Sequence, residues 1–327
     1  MSNITTAYKI AKAQVLREKK PLNVSYFITN KCDLRCSYCT IPNTRGHHAQ
    51  MTTDEIKVML DVFHDAGMIK FSCSGGEPLL RSDLGEVLAY AADLGAATSI
   101  TTNGRLLWKR APSLVSLETM LISLDGNPDF HKGTKTNEVE DVLKGIKLVQ
   151  RNGTRVWLST VLLEGSLAQM DFLISICRDY GTKMLLQPFD NSLIELEPFE
   201  KKLQQQRLVE VFDYVLDKAP EVVANTPDFV RMIREDKWLT PDMCLAGERT
   251  CFINSNGDVF ACLPILLRNG PTRNGLRDGW IEAFEGITLD GCLPCRFPCM
   301  AELYNVFSMK PRTWMHMQKI MQDVPAA

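Results

Sequence analysis

The sequence predicts an α/β fold in which six βα units wind around a parallel sheet as a partial (β/α)6 barrel, with a small cysteine-rich unit attached behind it. Three observations carry this. Short β-rich runs alternate with amphipathic helical patterns from residue 22 to about 187, glycines close several of those patterns, and six of the eleven cysteines crowd into the turn-rich stretch 244–299. A chain of 327 residues exceeds the common size of one domain, which leaves room for both parts.

The six β-rich runs are Leu22–Ile28, Ile69–Cys73, Ala97–Thr101, Met120–Leu124, Val156–Val161 and Met184–Gln187. Between them the apolar spacing predicts helices near 53–66, 83–94, 105–111, 138–151 and 168–180, several stopped by Gly67, Gly95, Gly153 or Gly181. After Pro188 the rhythm changes to two further helical patterns near 200–218 and 227–236. The expected organisation is an N-terminal helix over 1–21, a core over 22–190, a helical linker over 191–239, and the cysteine-rich unit with a C-terminal helix over 240–327.

Hydrophobic residues at 45% and charged ones at 23% are ordinary globular values. A net charge of −2 excludes a strongly cationic nucleic-acid binder, since phosphate neutralisation needs concentrated Lys and Arg. Residues 1–45 nevertheless carry eight basic side chains against two acidic ones, a face suited to an acidic electron donor or an anionic membrane surface, or simply to water. Without a signal-like start or a run of eighteen apolar residues, the expected compartment is the cytoplasm. Thiols stay reduced there, so eleven cysteines point to metal ligation rather than disulfides.

Cys32, Cys36 and Cys39 follow the first predicted strand with the spacing C-x3-C-x2-C. Loops after strand C-termini build the sites of parallel α/β folds, so three thiols here converge over the barrel mouth. Three thiolates fill three of the four iron positions of a [4Fe–4S] cluster and leave one iron open. A structural zinc site is the alternative, although it wants four ligands. Ser74-Gly75-Gly76-Glu77-Pro78 follows the second strand. Its paired glycines suit a ligand approaching the backbone, and the Glu77 carboxylate suits an ammonium group.

In this order the two motifs resemble the radical S-adenosylmethionine (SAM) superfamily, whose fold is a partial TIM-like barrel. The resemblance spans about residues 22–190. It implies a [4Fe–4S] cluster on Cys32, Cys36 and Cys39, SAM bound by amine and carboxylate at the open iron, and a Gly-Gly-Glu turn holding the amine. It further implies that Tyr38 lies beside the adenine, that Thr102 and Asn103 of Thr101-Thr102-Asn103-Gly104 contact the nucleoside, and that Ser123 and Asp125 of Ser123-Leu124-Asp125-Gly126 contact the ribose.

In the second cluster of cysteines, Asn256-Gly257-Asp258 between apolar residues reads as a hairpin turn bringing Cys244 and Cys262 to one end of two paired strands. Cys292-x2-Cys295, with the turn formers Gly291 and Pro294, is a tight knuckle presenting two more thiolates. A zinc ribbon is the alternative for these pairs. The pattern resembles the auxiliary-cluster region called SPASM, or its shorter twitch form. That implies one auxiliary [4Fe–4S] cluster on Cys244, Cys262, Cys292 and Cys295, with Cys251 and Cys299 as extra or substitute ligands. Cys73 and Cys177 read as buried packing residues.

The resemblance implies reductive cleavage of SAM to a 5′-deoxyadenosyl radical that takes hydrogen from a substrate, with an electron donor such as flavodoxin or ferredoxin. Only some twenty residues precede the first strand, so a small-molecule substrate is expected ahead of a ribosomal peptide. A lipid is kept as a lesser option by the basic first helix. The rival class is a metal-stabilised binding or electron-transfer protein without catalysis. Candidate substrate contacts are Arg45, Gly46, His47 and His48, then Gln187, Asp190 and Asn191, and finally Glu302 and Asn305.

Overall fold

Alternation along each strand sorts side chains to two faces. In the first strand, Asn23–Thr29 (β1), Val24, Tyr26 and Ile28 are buried against the helices, while Phe27 joins a separate cluster on the other side. The same division runs through Lys70–Gly75 (β2), Ala97–Thr102 (β3), Thr119–Ser123 (β4), Arg155–Leu162 (β5) and Lys183–Pro188 (β6). In the computed structural model all six pair in parallel and in sequence order. The structure describes residues 3–16, 18–39, 41, 50–134, 139–189, 204–267, 270, 272–308 and 310–322.

The helices are Asn3–Leu16 (α1), Thr53–Asp65 (α2), Leu84–Asp93 (α3), Leu107–Arg110 (α4), Pro128–Thr134 (α5), Val139–Arg151 (α6) and Met170–Asp179 (α7). They continue with Gln205–Lys218 (α8), Pro227–Arg234 (α9), Leu263–Leu267 (α10), Gly275–Asp278 (α11), Trp280–Glu285 (α12), Pro298–Phe307 (α13) and Pro311–Gln322 (α14). Local chemistry sets their ends. Thr52 caps α2 in a reciprocal box with Glu55, and Thr226 caps α9 by accepting from the Phe229 N–H. On the helix-facing side Ile56, Met59, Leu60 and Phe63 of α2 and Val142, Ile146 and Val149 of α6 interlock with the strands as one core.

The cysteine-rich segment does not stand apart from this sheet. Thr250–Ile253 (β7) pairs in parallel with β1, and Asp258–Phe260 (β8) and Arg273–Asn274 (β9) follow antiparallel, giving the order β6-β5-β4-β3-β2-β1-β7-β8-β9. The physical reason is that β1 would otherwise leave an unpaired edge. Asn23 strengthens the join by donating its amide to the Thr250 hydroxyl at 3.0 Å. Helix α13 reaches all three apolar clusters of the molecule through Ala301, Met300 and Phe307. Among the described residues no helix is long and apolar enough to cross a membrane.

Candidate functional site

The loop after β1 is anchored by Leu34, which is buried, and leaves Cys32, Cys36 and Cys39 half-buried at the C-terminal end of the strand. The Cys39 N–H donates to the Cys36 carbonyl at 3.1 Å, which turns the chain between the second and third thiols. The Leu34 N–H points at the Cys32 sulfur at 3.5 Å. Burial pushes the Cys32 thiol up to about 11, and the negative charges of Glu77, Asp33 and Cys39 act in the same direction. Thiolates in this setting need a cation to face, which is what an iron cluster supplies. The donor set therefore fits one.

The turn after β2 packs on this loop, backbone against backbone. Gly76 N–H donates to the Thr29 carbonyl and Glu77 N–H to the Lys31 carbonyl, both at 2.8 Å. A Cβ on Gly75, where φ is +130°, would sit 2.3 Å from the Thr29 oxygen, and one on Gly76 would sit 2.2 Å from the Lys31 oxygen. The glycines thus let the two loops meet backbone to backbone. Ser74 lies half-buried just before them, on the inward side of β2.

Glu77 extends this junction. Its carboxylate is fully buried and turned into protein: Oε1 accepts from the Leu79 N–H (2.9 Å) and the Thr102 hydroxyl (2.7 Å), and Oε2 from the Asn103 N–H (2.8 Å). Burial holds it up at about 7 against the pull of these donors. With three protein donors it ties the β2 turn to the β3 loop. Glu77→Ala leaves all three without an acceptor, so we expect urea unfolding to show a loss of about 3 kcal/mol at about 1 kcal/mol per orphaned donor.

Asn103 continues the chain of contacts by donating to Asp33 at 2.9 Å, beside the first cysteine, while Arg105 stands 3.7 Å from the same carboxylate. Across the mouth, the Tyr38 hydroxyl donates to Asp125 Oδ2 at 2.6 Å, and Asp125 Oδ1 accepts from the Val161 N–H at 2.9 Å. Burial, reinforced by the Asp125 charge, pushes the Tyr38 hydroxyl well up. His131 accepts from the N–H groups of Asp125 and Gly126 at 3.0 and 3.2 Å, so its Nε2 carries no proton. Asp33 and His131 escape sequence reasoning. The only signal for Asp33 is adjacency to Cys32, and α5, which carries His131, is too short to show a period. Ser123 ends β4 half-buried, on the inward side.

Behind the mouth, the hairpin of β7 and β8 forms as its sequence predicts, with the Asn254 N–H donating to the Asp258 carbonyl and Gly257 at φ +88°. Leu239 and Cys295 exchange backbone hydrogen bonds at 2.9 Å in both directions, which clips the knuckle to the chain before Cys244. Cys244 is pushed up to about 11 by burial and by the charges of Cys295 and Cys292. Cys262 is driven higher by burial and by all three of these cysteines. These four therefore share one neighbourhood, in which Cys262 and Cys244 pack with Phe27, Phe252, Phe260 and Met300. Cys251 does not join them. It alternates with Phe252 along β7, so its thiol faces the helix-side core, where burial alone raises its pKa. Cys299 stands apart too, on α13, with Lys70 and Glu302 as its charged neighbours. Among the described residues, no group of three or more His, Cys, Asp or Glu is close enough to hold a single metal ion. Cys73 and Cys177 are buried, as expected.

The inward side of the sheet is polar and partly accessible. Ser25, Lys70, Ser72, Thr119 and Gln187 all retain surface there, and hydroxyl contacts link strands, Ser72 to Ser99 at 2.7 Å and Gln187 to Ser159 at 2.5 Å. Glu302 accepts from Asn225 at 3.2 Å and from the Thr226 N–H at 3.1 Å, and burial holds it at about 7. Asn305 is buried and donates to the Thr226 hydroxyl at 3.2 Å. Arg45, Gly46, His47, His48, Asp190 and Asn191 lie outside the described residues.

A parallel open barrel carries Cys32, Cys36 and Cys39, a diglycine turn and a Tyr–Asp pair beyond its strand ends, the donor types an iron–sulfur cluster and a small polar cofactor call for. The chain belongs to the radical SAM superfamily, whose model matches residues 26–170. It is 32% identical over 221 residues to a probable GTP 3′,8-cyclase of Methanocaldococcus jannaschii, across 64% of this chain and 70% of the relative. An AdoMet-dependent heme synthase of Oleidesulfovibrio alaskensis is 24% identical over 283 residues, covering 77% of this chain and 72% of that one. Among solved structures, Streptococcus suis SuiB bound to its precursor peptide SuiA superposes with a TM-score of 0.70 at 19% identity, covering 85% of this chain and 68% of SuiB. The protein is a radical SAM enzyme that uses a [4Fe–4S] cluster and SAM.

Proposed function

We propose that this enzyme holds its catalytic cluster on Cys32, Cys36 and Cys39, takes a small polar substrate into the barrel lumen, and carries a second, fully protein-ligated cluster on Cys244, Cys262, Cys292 and Cys295 that accepts an electron in a net oxidation. The observation that carries this is the polar, partly accessible inner face beneath the cysteine loop, a shape for a compact polar molecule. Bound at the mouth, the cluster and SAM supply one-electron cleavage of a sulfonium and with it a hydrogen-abstracting radical. The protein's own groups position and shield. Glu77 fixes the β2 turn against the β3 loop, and the Tyr38–Asp125 bond holds the cysteine loop across to β4. Phe189, edge-on to Tyr38 at 6.1 Å, adds apolar cover at the mouth. The relatives named for GTP cyclisation and heme synthesis support a small-molecule substrate; the peptide-bound SuiB speaks for the fold.

The test is anaerobic reconstitution with iron and sulfide, followed by dithionite and SAM. The reading expects a brown protein with about eight iron atoms per chain, two cubanes, and release of 5′-deoxyadenosine, faster when a low-molecular-weight extract of the source cells is added. Stimulation by the peptide fraction alone would move the substrate to a ribosomal peptide, and colourless zinc protein would end the proposal.

A further inference from the structure

Lys70 begins β2, five residues before Gly75, and alternation with Phe71 turns its side chain to the inward face. At about 3.3 Å per residue it lies about 16 Å below the diglycine turn, at the far end of the lumen from the cysteine loop. Its partners across the sheet offer it no charge: Asn23 donates its amide to Thr250, and Ala97 carries none. The acids nearby are engaged elsewhere, Glu118 with Arg155 at 3.6 Å and Glu302 with Asn225 and Thr226. Cys299 keeps accessible surface on the same side, and burial pushes its thiol toward the neutral form, so it is no counter-ion. Among the described residues the Lys70 ammonium, on a side chain that keeps part of its surface, has neither an ion pair nor a hydrogen-bond acceptor, and Glu118 and Cys299 act on it only at a distance. Burial accordingly disfavours its charged form. A half-buried cation without a partner is stabilised by whatever brings the missing negative charge.

We propose that Lys70 is a substrate-binding residue that takes an anionic oxygen group, a carboxylate or a phosphate, at the floor of the lumen. This rests on the reading that the lumen holds the substrate, and it adds a polarity to it: the anionic end lies deep and the reacting carbon lies toward the mouth. Ser25, level with Ser72 in the adjacent strand, and the Ser72–Ser99 pair stand one pleat above the ammonium with hydroxyls for the remaining oxygens. Anchoring a remote group is how a binding site holds a reacting carbon still.

The test uses reconstituted holoenzyme with SAM and no turnover. Thermal unfolding is followed against inorganic phosphate and against acetate, with chloride holding ionic strength constant, and acylation of Lys70 by an amine-selective reagent is read by mass spectrometry in the same series. One of the two anions should raise the midpoint saturably and shield Lys70 from acylation, and which one does so identifies the group. Lys70→Met should weaken that anion by about tenfold or more, the value of a charge-assisted contact, whereas Lys70→Arg should keep it. If Lys70→Met fails to fold, protection of Lys70 in the unaltered chain decides. Lys70 labelled equally with and without both anions, or a methionine variant that binds as tightly as the parent, would overturn the assignment. A protein that cleaves SAM yet shows no protection loses only the anion site; one that shows protection but never cleaves SAM loses the proposed function instead.

Discussion

Replacing Cys36 by alanine is expected to bring 5′-deoxyadenosine formation down to background and to lower the iron content from about eight to about four per chain, because one of two cubanes is lost. In the proposed ligand set Cys36 is the middle donor of three, and its carbonyl also receives the Cys39 N–H. With two thiols left, the remaining irons have too few protein ligands, and the burial that raises the Cys32 pKa gives that thiol no reason to ionise alone. The half-value of iron is the informative part, since the four thiols near β7 and the knuckle lie in a different apolar neighbourhood and should keep their own cluster. Cys251→Ala and Cys177→Ala serve as controls. Both thiols sit in the helix-side core, so both variants should lose some stability and keep full iron. Cys251→Ala with half the iron would return that residue to the ligand set; Cys36→Ala with full iron would remove the first triplet from it.

The six barrel strands were legible because period-two alternation is local: every predicted run overlaps its observed strand, with ends differing by one or two residues. The ligand triplet and the hairpin turn were legible for the same reason, since spacing within a dozen residues needs no knowledge of the fold. What lay hidden depends on contacts across the chain. Strand β7 is Thr-Cys-Phe-Ile, buried on both faces, and nothing in four such residues reveals a partner more than two hundred positions earlier. The tie that Glu77 makes to the β3 loop was invisible because its donors at Thr102 and Asn103 are one strand further on. Lys70 carries no signal in the sequence, because only the folded sheet shows that its inward neighbours bring no counter-charge.

Gly76→Ala separates two explanations of the diglycine turn. If the residue were there for conformational freedom, alanine would cost about 1 kcal/mol, the penalty of a left-handed backbone. Gly76 is not in that region, whereas Gly153 is, at φ +82° with nothing within 4 Å of an added Cβ. Gly153→Ala should therefore show the conformational cost alone and leave SAM affinity intact. At Gly76 the added carbon meets backbone only: the Lys31 oxygen at 2.2 Å, the Lys31 carbon at 2.6 Å and the Asn30 oxygen at 2.9 Å. None of these can rotate away, so the turn and the cysteine loop must part. Parting them breaks the bonds from Gly76 to Thr29 and from Glu77 to Lys31, and Lys31 is joined directly to Cys32. We expect a loss of about 2–3 kcal/mol in urea unfolding, from overpacking together with two broken hydrogen bonds. SAM binding should weaken by about tenfold or more, as its site is split between the displaced loops. A Gly76→Ala protein that binds SAM like the parent while losing stability would show that the dovetail matters to the barrel alone. Equal stability in the two proteins would show that the backbones do not meet as closely as 2.2 Å implies.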